Sequence, residues 1–184
     1  TIKGGKGNDE ITVAAAGKAD SDTMDGEDGT ADVLKLSAGK HTFGDDDKLK
    51  NIEKIETATA GSGGILTAQT EALEITGSDG VDKITGGDVI DTITGGKSAD
   101  IIVGGKGDDI ITGGEGDDII TGGLGADTIN VDKGTDTIAD LGGSSGGELD
   151  ILVVSKDAIA KATVKVSFTA TSSTVNNAAN DVTK

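Results

Sequence analysis

Aspartates recur every nine residues through the middle of this sequence, and each stands two residues before an isoleucine. Glycine-rich stretches precede them, as in GGKGDDIIT at 104–112. Carboxylates and backbone carbonyls are the oxygen ligands that calcium takes, and glycine tolerates the positive φ angles that aim successive carbonyls toward one point. The pattern therefore predicts calcium-binding turns whose charge comes from Asp82, Asp91, Asp100, Asp109, Asp118, Asp127 and Asp136.

The same repeat predicts the elements that position these aspartates. A nine-residue period fits neither an amphipathic helix nor a heptad. Each unit divides instead into a six-residue glycine-rich turn and a three-residue strand such as 110–112. Because neighbouring residues of a strand face opposite sides, the middle one points inward. The predicted core is the column Ile84, Ile93, Ile102, Ile111, Ile120, Ile129 and Ile138, which Leu66 and Ile75 extend backwards.

The composition disfavours several other folds. The 184 residues include two Phe and neither Trp nor Tyr, so aliphatic residues and threonine must form the core. The 31 glycines do not suit a helical bundle, because glycine costs about 1 kcal/mol relative to alanine in a helix interior. They also lack the three-residue period of collagen. An all-β fold with glycines in its turns is the remaining prediction.

The charge and the cysteine count limit the partners. A net charge of −17 disfavours nucleic acid and anionic membranes, since both repel such a chain. The absence of cysteine excludes disulfides and thiolate metal sites. No stretch approaches the ~18 apolar residues of a membrane span, so no membrane insertion is predicted. The first residue is Thr, which fits a piece of a longer protein or a processed product.

The units at 104–112, 113–121 and 122–130 follow the pattern G-G-x-G-x-D-x-U-x. This pattern resembles the RTX repeats (hemolysin-type calcium-binding repeats) of bacterial type I-secreted proteins. The resemblance implies an all-β fold, a right-handed parallel β-roll or β-solenoid of nonapeptide repeats with flanking β-rungs or strands. The implied division is an irregular β-rich region at 1–76 with an isolated repeat at 4–12, a calcium β-roll at 77–139, and a strand extension with a polar tail at 140–184.

The resemblance further implies that two consecutive units form one coil, so that calcium lies between turns two units apart. The stacked pairs would be Asp82 with Asp100, Asp91 with Asp109, Asp100 with Asp118, Asp109 with Asp127, and Asp118 with Asp136, giving about five ions. Turns with intact glycines should be best, through the backbone of Gly104, Gly105, Lys106, Gly107, Gly113, Gly114, Glu115, Gly116, Gly122, Gly123, Leu124 and Gly125. Val89, Ser98 and the pair Val131-Asp132 depart from the pattern and should weaken the outer sites.

The flanking segments are less regular. Residues 25–36 are similar to a decayed turn followed by a strand, and 51–56 (NIEKIE) fit either a short helix or, as we favour, a β-rung. Residues 142–147 break the phase, and 148–155 restore one unit around Asp150 and Leu152. The alternation in 162–171 predicts a half-buried strand before a frayed polar tail.

Other motifs fail on their chemistry. The segment 20–26 places Met24 where an EF-hand loop needs an oxygen ligand, so Met24 is predicted to pack in the interior. The single histidine, His41, has no His or Cys partner and is predicted at the surface. A dinucleotide-binding loop at 104–109 lacks the third glycine and the following helix. No nucleophile–base pair is present, so we expect no catalysis by this chain.

Two functions are consistent with these features. The first is a calcium-binding module of a secreted bacterial surface-layer (S-layer) protein, which folds and self-associates into an array outside the cell. Such proteins are similarly acidic, rich in Gly, Ala and Thr, and nearly free of aromatic residues. The second is the secretion and folding module of a type I-secreted enzyme, toxin or adhesin. An ice-binding face is disfavoured, because the third turn position is a mixed charged column from Asp79 to Lys133.

Overall fold

The computed structural model describes residues 1–13, 23–37, 39–42, 49–57, 62–65, 71–141, 149–156 and 158–164. Every helix or strand assigned within these ranges is a β-strand. The strands are β1 Ile2–Lys6, β2 Glu10–Val13, β3 Met24–Asp28, β4 Val33–Leu36, β5 Gly39–Thr42, β6 Leu49–Lys50, β7 Lys54–Thr57, β8 Ser62–Ile65, β9 Glu74–Thr76, β10 Lys83–Thr85, β11 Thr92–Lys97, β12 Ile101–Lys106, β13 Ile110–Glu115, β14 Ile119–Leu124, β15 Thr128–Val131, β16 Gly134–Leu141, β17 Ile151–Val154 and β18 Ala158–Val164.

The strands form three parallel sheets in the described part of the chain. One has eight strands in the order β17-β15-β13-β11-β9-β7-β4-β2, and another has seven in the order β18-β16-β14-β12-β10-β8-β5. The third contains β1, β3 and β6. Consecutive strands of the repeats alternate between the two large sheets, so the chain winds as a solenoid.

The register confirms the all-β parallel roll and its two-unit coil. Ile93 pairs with Ile111 in the eight-stranded sheet, and Ile102 pairs with Ile120 in the seven-stranded one. Partners are therefore 18 residues apart, which is two nonapeptides. Because the coil length equals two repeats, every turn stacks on an equivalent turn.

The core is the predicted isoleucine column. Ile84, Ile93, Ile102, Ile111, Ile120, Ile129 and Ile138 are all fully buried. Their neighbours on the strand point outward, as Ile110 does with an exposed fraction of 45%. The strands around them are longer than predicted, since β13 continues through the first two glycines of the next turn to Glu115.

The coils before residue 71 have a different cross-section. Between β3 and β8 the chain passes through all three sheets in turn, whereas each coil of the repeats passes through two. The eight-stranded sheet nevertheless runs without a break from β2 to β17, and Ile11, Leu34, Ile55 and Ile75 continue the buried column. The predicted rung at 51–56 is confirmed, because β7 begins at Lys54 and both Ile52 and Ile55 are buried.

Two other single residues were tested by the structure. Met24 is buried in the core, as predicted. The surface prediction for His41 is wrong: the side chain is fully buried, and its Nε2 lies 2.9 Å from the carbonyl oxygen of Ser37, to which it donates. That bond offsets part of the cost of burying a polar ring.

The end of the chain agrees in part with the sequence. Leu152 pairs with Ile129, so the unit around Asp150 and Leu152 continues the eight-stranded sheet. The last strand begins at Ala158, before the predicted start at 162. Leu66, residues 142–147, the remainder of 162–171 and the tail lie outside the described residues. No helix in the described ranges is long and apolar enough to cross a membrane.

Candidate metal centre

The repeat aspartates stand at the ends of turns, immediately before strands, and stack in two ladders. Asp91, Asp109 and Asp127 precede strands of the eight-stranded sheet, and we call this set the first ladder. The second ladder precedes or enters strands of the seven-stranded sheet and consists of Asp82, Asp100, Asp118 and Asp136. All seven side chains are buried, with at most 1% exposed.

One carboxylate oxygen of most of these aspartates accepts a backbone hydrogen bond from the coil before. The N–H of Asp91 donates to Oδ1 of Asp109 at 2.8 Å, and the N–H of Asp109 donates to Oδ1 of Asp127 at 2.8 Å. The second ladder repeats this bond from Asp82 to Asp100, Asp100 to Asp118, and Asp118 to Asp136. The structure thus brings together all five pairs named from the sequence.

The Oδ2 atom is left without a hydrogen-bond partner among the described residues in five of the seven aspartates. These buried Oδ2 atoms belong to Asp100, Asp109, Asp118, Asp127 and Asp136. A buried carboxylate oxygen without a partner is costly, and in native proteins it calls for an ion or a water molecule. The five atoms mark the places where a cation would be stabilising.

Backbone carbonyls lie near two of these oxygens, those of Asp100 and Asp109. A methyl group added at Gly95 would lie 2.7 Å from Oδ2 of Asp100 and 2.5 Å from the carbonyl oxygen of Gly113. Gly104 has the same surroundings, namely Oδ2 of Asp109 and the carbonyl oxygen of Gly122. The leading glycines of these two turns therefore leave room between a carboxylate and a carbonyl of the next coil, an arrangement that we call a cradle.

The second glycine of the turn is required by the backbone. Gly105 and Gly114 have φ angles of 127° and 107°, which side-chain-bearing residues rarely adopt. A methyl group at either position would also collide with the carbonyl of the turn stacked below. These glycines let turns stack closely enough for oxygens of two coils to face one ion.

Burial raises the pKa values of Asp91, Asp100, Asp109, Asp118, Asp127 and Asp136. From an ordinary value of 3.8, the pKa rises to about 7 for Asp100 and Asp109 and to about 6 for Asp127 and Asp136. The backbone N–H of the preceding coil opposes the rise, and like charges one coil away add to it. The site therefore resists ionisation until a positive charge is present.

The first two units are built differently. Oδ2 of Asp82 accepts from the backbone N–H and the hydroxyl of Ser78, and Oδ2 of Asp91 accepts from the N–H of Gly87. In these turns hydrogen bonds within the unit occupy the Oδ2 atom that stays open in the later units, whereas Oδ1 of Asp82 is buried without a partner among the described residues. The two units whose turns depart from the pattern, GSDGVD and GGDVID, are thus also the two in which Oδ2 of the aspartate accepts a hydrogen bond.

Two further features join the turns of successive coils, and only the first was not anticipated from the sequence. The fifth-position aspartates also join coils, since Oδ1 of Asp108 accepts from the N–H of Ala126 and Oδ1 of Asp117 accepts from the N–H of Thr135, both at 2.8 Å. Asp150 extends the first ladder by accepting from the N–H of Asp127 at 3.0 Å. The sequence did contain a signal for the bonds of Asp108 and Asp117, namely the doubled aspartates in GGKGDD and GGEGDD.

The third turn position forms ion pairs along the outside of the roll. Lys97 contacts Asp79 at 2.7 Å, Lys106 contacts Asp88 at 2.5 Å, and Lys133 contacts Glu115. Exposed pairs of this kind contribute about 0–1 kcal/mol each. The side chains of Lys106 and Glu115 are engaged in these exposed pairs, so only their backbone carbonyls remain candidates as ligands.

The donor set fits calcium better than a transition metal. No group of three or more His, Cys, Asp or Glu side chains that could hold a metal occurs in the described residues. Each cradle combines a carboxylate oxygen with backbone carbonyls, which are the hard oxygen ligands of calcium. Soft metals prefer thiolate or imidazole, which the turns lack.

The comparisons with known proteins agree with this chemistry. A family model described as the RTX calcium-binding nonapeptide repeat (4 copies) matches residues 76–111 and 104–138. No curated protein and no solved structure matches the chain. The matched residues cover the two ladders and stop short of the coils before residue 71.

Proposed function

Because residues 76–138 form an RTX β-roll, a calcium-binding structural module, we propose that calcium between the stacked turns is what allows the roll to fold. One observation carries this proposal: the Oδ2 atoms of five stacked repeat aspartates are buried without a hydrogen-bond partner among the described residues. The ions would be held by Asp100, Asp109, Asp118, Asp127 and Asp136 with the carbonyls of the glycine turns. Asp82 and Asp91 contribute to the first, weaker positions.

Electrostatics make the calcium-free roll unstable. Stacked strands lie ~4.8 Å apart, so carboxylates of adjacent coils face each other at about that distance. At an effective dielectric near 20, two unneutralised charges at about 5 Å repel by roughly 3 kcal/mol. With every aspartate ionised, five such pairs cost at most roughly 15 kcal/mol, which is the size of a whole domain's stability. Calcium removes this cost, so metal binding and folding are coupled.

Such coupling suits a protein that works outside the cell. A ligand that binds only the folded state stabilises it with the logarithm of its concentration, so millimolar external calcium favours the roll and low internal calcium favours the unfolded chain. An unfolded chain can pass a narrow secretion channel. Type I secretion of the parent protein and an extracellular or cell-surface location are therefore part of the proposal.

For the biological role we favour a calcium-dependent assembly module of a bacterial surface array (S-layer). The composition supports this role: the chain is acidic, lacks cysteine and is almost free of aromatic residues. The unbroken eight-stranded sheet also supports it, because parallel strands continue on both sides of the repeats. The outer strands of a sheet present backbone groups that a second copy can pair with.

The second candidate is a secretion and folding module of an enzyme, toxin or adhesin. The match to RTX repeats favours it, since the repeats by themselves serve any type I-secreted protein. Both candidates need the same calcium-coupled folding and differ in self-association.

Circular dichroism tests the shared step. In EDTA we expect a largely disordered chain, and calcium at roughly 0.1–1 mM should produce β-structure cooperatively. Magnesium is the matched control and should substitute poorly, because it demands a smaller octahedral shell. A fully folded 77–139 segment in EDTA would refute the coupling.

Light scattering separates the two candidates. A surface-array module should form oligomers in millimolar calcium that EDTA reverses. Strict monomers at high protein concentration would reject the assembly role and leave the secretion module.

A further inference from the structure

The carboxylate-to-backbone bonds of the first ladder recur in the coils before residue 71, beyond Leu73, which stands at the aspartate position before β9. The N–H of Asp9 donates to Oδ1 of Asp32 at 2.7 Å, and the N–H of Asp32 donates to Oε2 of Glu53 at 2.7 Å. These bonds repeat the one from Asp91 to Asp109 at 2.8 Å. The same sheet positions all of these residues, since β2, β4 and β7 follow Asp9, Asp32 and Glu53.

The remaining oxygens of Asp9 and Asp32 also lack partners. Asp32 is fully buried, and its Oδ2 has no hydrogen-bond partner in the part of the chain that the structure describes. Oδ2 of Asp9 is buried without a partner as well. This is the arrangement of Asp109 and Asp127 in the repeats, where we place calcium.

Backbone carbonyls face these two oxygens. A methyl group added at Gly4 would lie 2.8 Å from Oδ2 of Asp9 and 2.8 Å from the carbonyl oxygen of Gly26. A methyl group at Gly26 would contact Oδ2 of Asp32 and the carbonyl oxygen of Asn51. Both glycines therefore border a cradle of the kind found at Gly95, with one carboxylate and one carbonyl from the next coil.

The coil between the turns at 4–9 and 26–32 departs from the repeat pattern. Asp9 and Asp32 are 23 residues apart, against 18 for partners in the repeats, because the longer coil visits three sheets. Glu27 stands opposite Gly5 and takes a φ of 67°, and its carboxylate pairs with Lys3 on the exposed side. The backbone thus keeps the turn geometry without the second glycine of the pattern.

We propose that a further calcium ion binds between the turns at 4–9 and 26–32. Asp9 and Asp32 supply the charge, and the carbonyls of the stacked turns supply neutral oxygens. The proposal rests on the calcium chemistry of the proposed function, and it extends that chemistry to the isolated repeat at 4–12 and the coil after it, outside the matched repeats at 76–138. An ion here neutralises a buried carboxylate pair at the beginning of the eight-stranded sheet.

The number of calcium ions bound by the full chain tests the proposal. We would measure it at saturating calcium by native mass spectrometry and by calorimetry. Asp32→Asn should lose one ion, while its amide oxygen still accepts the N–H of Asp9. Asp28→Asn is the matched control, because it removes the same charge from an exposed side chain of the same turn and should lose no ion.

A double variant tests whether the two aspartates share the ion. Asp9→Asn should lose one ion, and Asp9→Asn combined with Asp32→Asn should still lose only one. Loss of two ions by the double variant, or an unchanged count in Asp32→Asn, would overturn the proposal.

Anomalous X-ray scattering from calcium-bound crystals of the unaltered chain gives a test without substitutions. A peak between Gly26 and Asp9 supports the site, and its absence beside filled repeat sites overturns it. A chain that binds no calcium at all would instead reject the proposed function, so the two failures are distinguishable.

Discussion

Protons should substitute in part for calcium in the repeats. Asp100 and Asp109 have pKa values of about 7, and Asp127 and Asp136 have values of about 6, against 3.8 ordinarily. Below pH 3.8 the folded and unfolded chains both hold these protons. As pH rises from there to about 7, the unfolded chain releases them first, so stability is lost across this window. Lowering the pH from 8 to 5 should therefore favour the calcium-free fold.

The size of the effect follows from the pKa values. One pKa unit corresponds to about 1.4 kcal/mol, so a group with a pKa near 7 regains about 2.7 kcal/mol on going to pH 5. Solvent screening halves this to about 1.4 kcal/mol, and a group with a pKa near 6 regains about 0.7 kcal/mol. The four aspartates together regain about 4 kcal/mol, a large share of the 5–15 kcal/mol typical of a domain.

The assay is far-ultraviolet circular dichroism in EDTA between pH 8 and pH 5, with thermal melts at each pH. The β-structure signal should increase as the pH falls. Salt at pH 8 is the first control, because it screens exposed charges without protonating buried ones. The second control is the double variant Asp100→Asn with Asp109→Asn. Its amides are neutral, and their NH₂ groups can donate to the glycine carbonyls. The β-content at pH 8 should therefore rise, and the pH dependence of the spectrum should weaken.

Two outcomes would refute this reasoning. One is an identical calcium-free spectrum at pH 8 and pH 5. The other is a full pH dependence in the double asparagine variant, which would assign the effect to general charge reduction.

Three further predictions concern individual positions. Asp109→Ala should damage two calcium sites and Asp82→Ala one, because Asp109 has stacked aspartates on both sides; equal losses in calcium calorimetry would mean that the proposed stacking of sites is wrong. Gly114→Ala should raise the calcium concentration needed for folding at least tenfold in a circular dichroism titration, since its φ is 107° and the added methyl meets the carbonyl of the coil below; an unchanged midpoint would contradict this. Ile111→Ala should lower the free energy of unfolding in calcium by about 2–5 kcal/mol, and Ile110→Ala by less than about 1 kcal/mol, because only Ile111 is fully buried; similar losses in denaturant titrations would place the core elsewhere.

The sequence alone determined the architecture of the repeats. A nine-residue period places Ile111 and Asp109 identically in every unit, so local alternation and the resemblance to RTX repeats were enough to derive the core column, the coil of two units and the stacking of Asp109 on Asp127. Each unit contacts mainly copies of itself, and the tertiary environment therefore repeats with the sequence.

Only the tertiary structure decided which carboxylate oxygens are open. Asp91 and Asp109 occupy the same position of the repeat. The N–H of Gly87 donates a hydrogen bond to Oδ2 of Asp91, whereas Oδ2 of Asp109 has no partner among the described residues. Hydrogen bonds of this kind depend on how closely a turn folds onto its own carboxylate, which composition does not encode.

The coils before residue 71 show most clearly which contacts the sequence does not predict. Asp32 lies in a turn that lacks the second glycine, at a spacing of 23 residues from Asp9, so no period connects the two. His41 was misplaced for the same reason, since a single residue without repeated neighbours gives no information about its face of the strand. Sequence periodicity determines a structure where each contact is repeated, whereas contacts made once, between coils of unequal length, are decided by the folded chain.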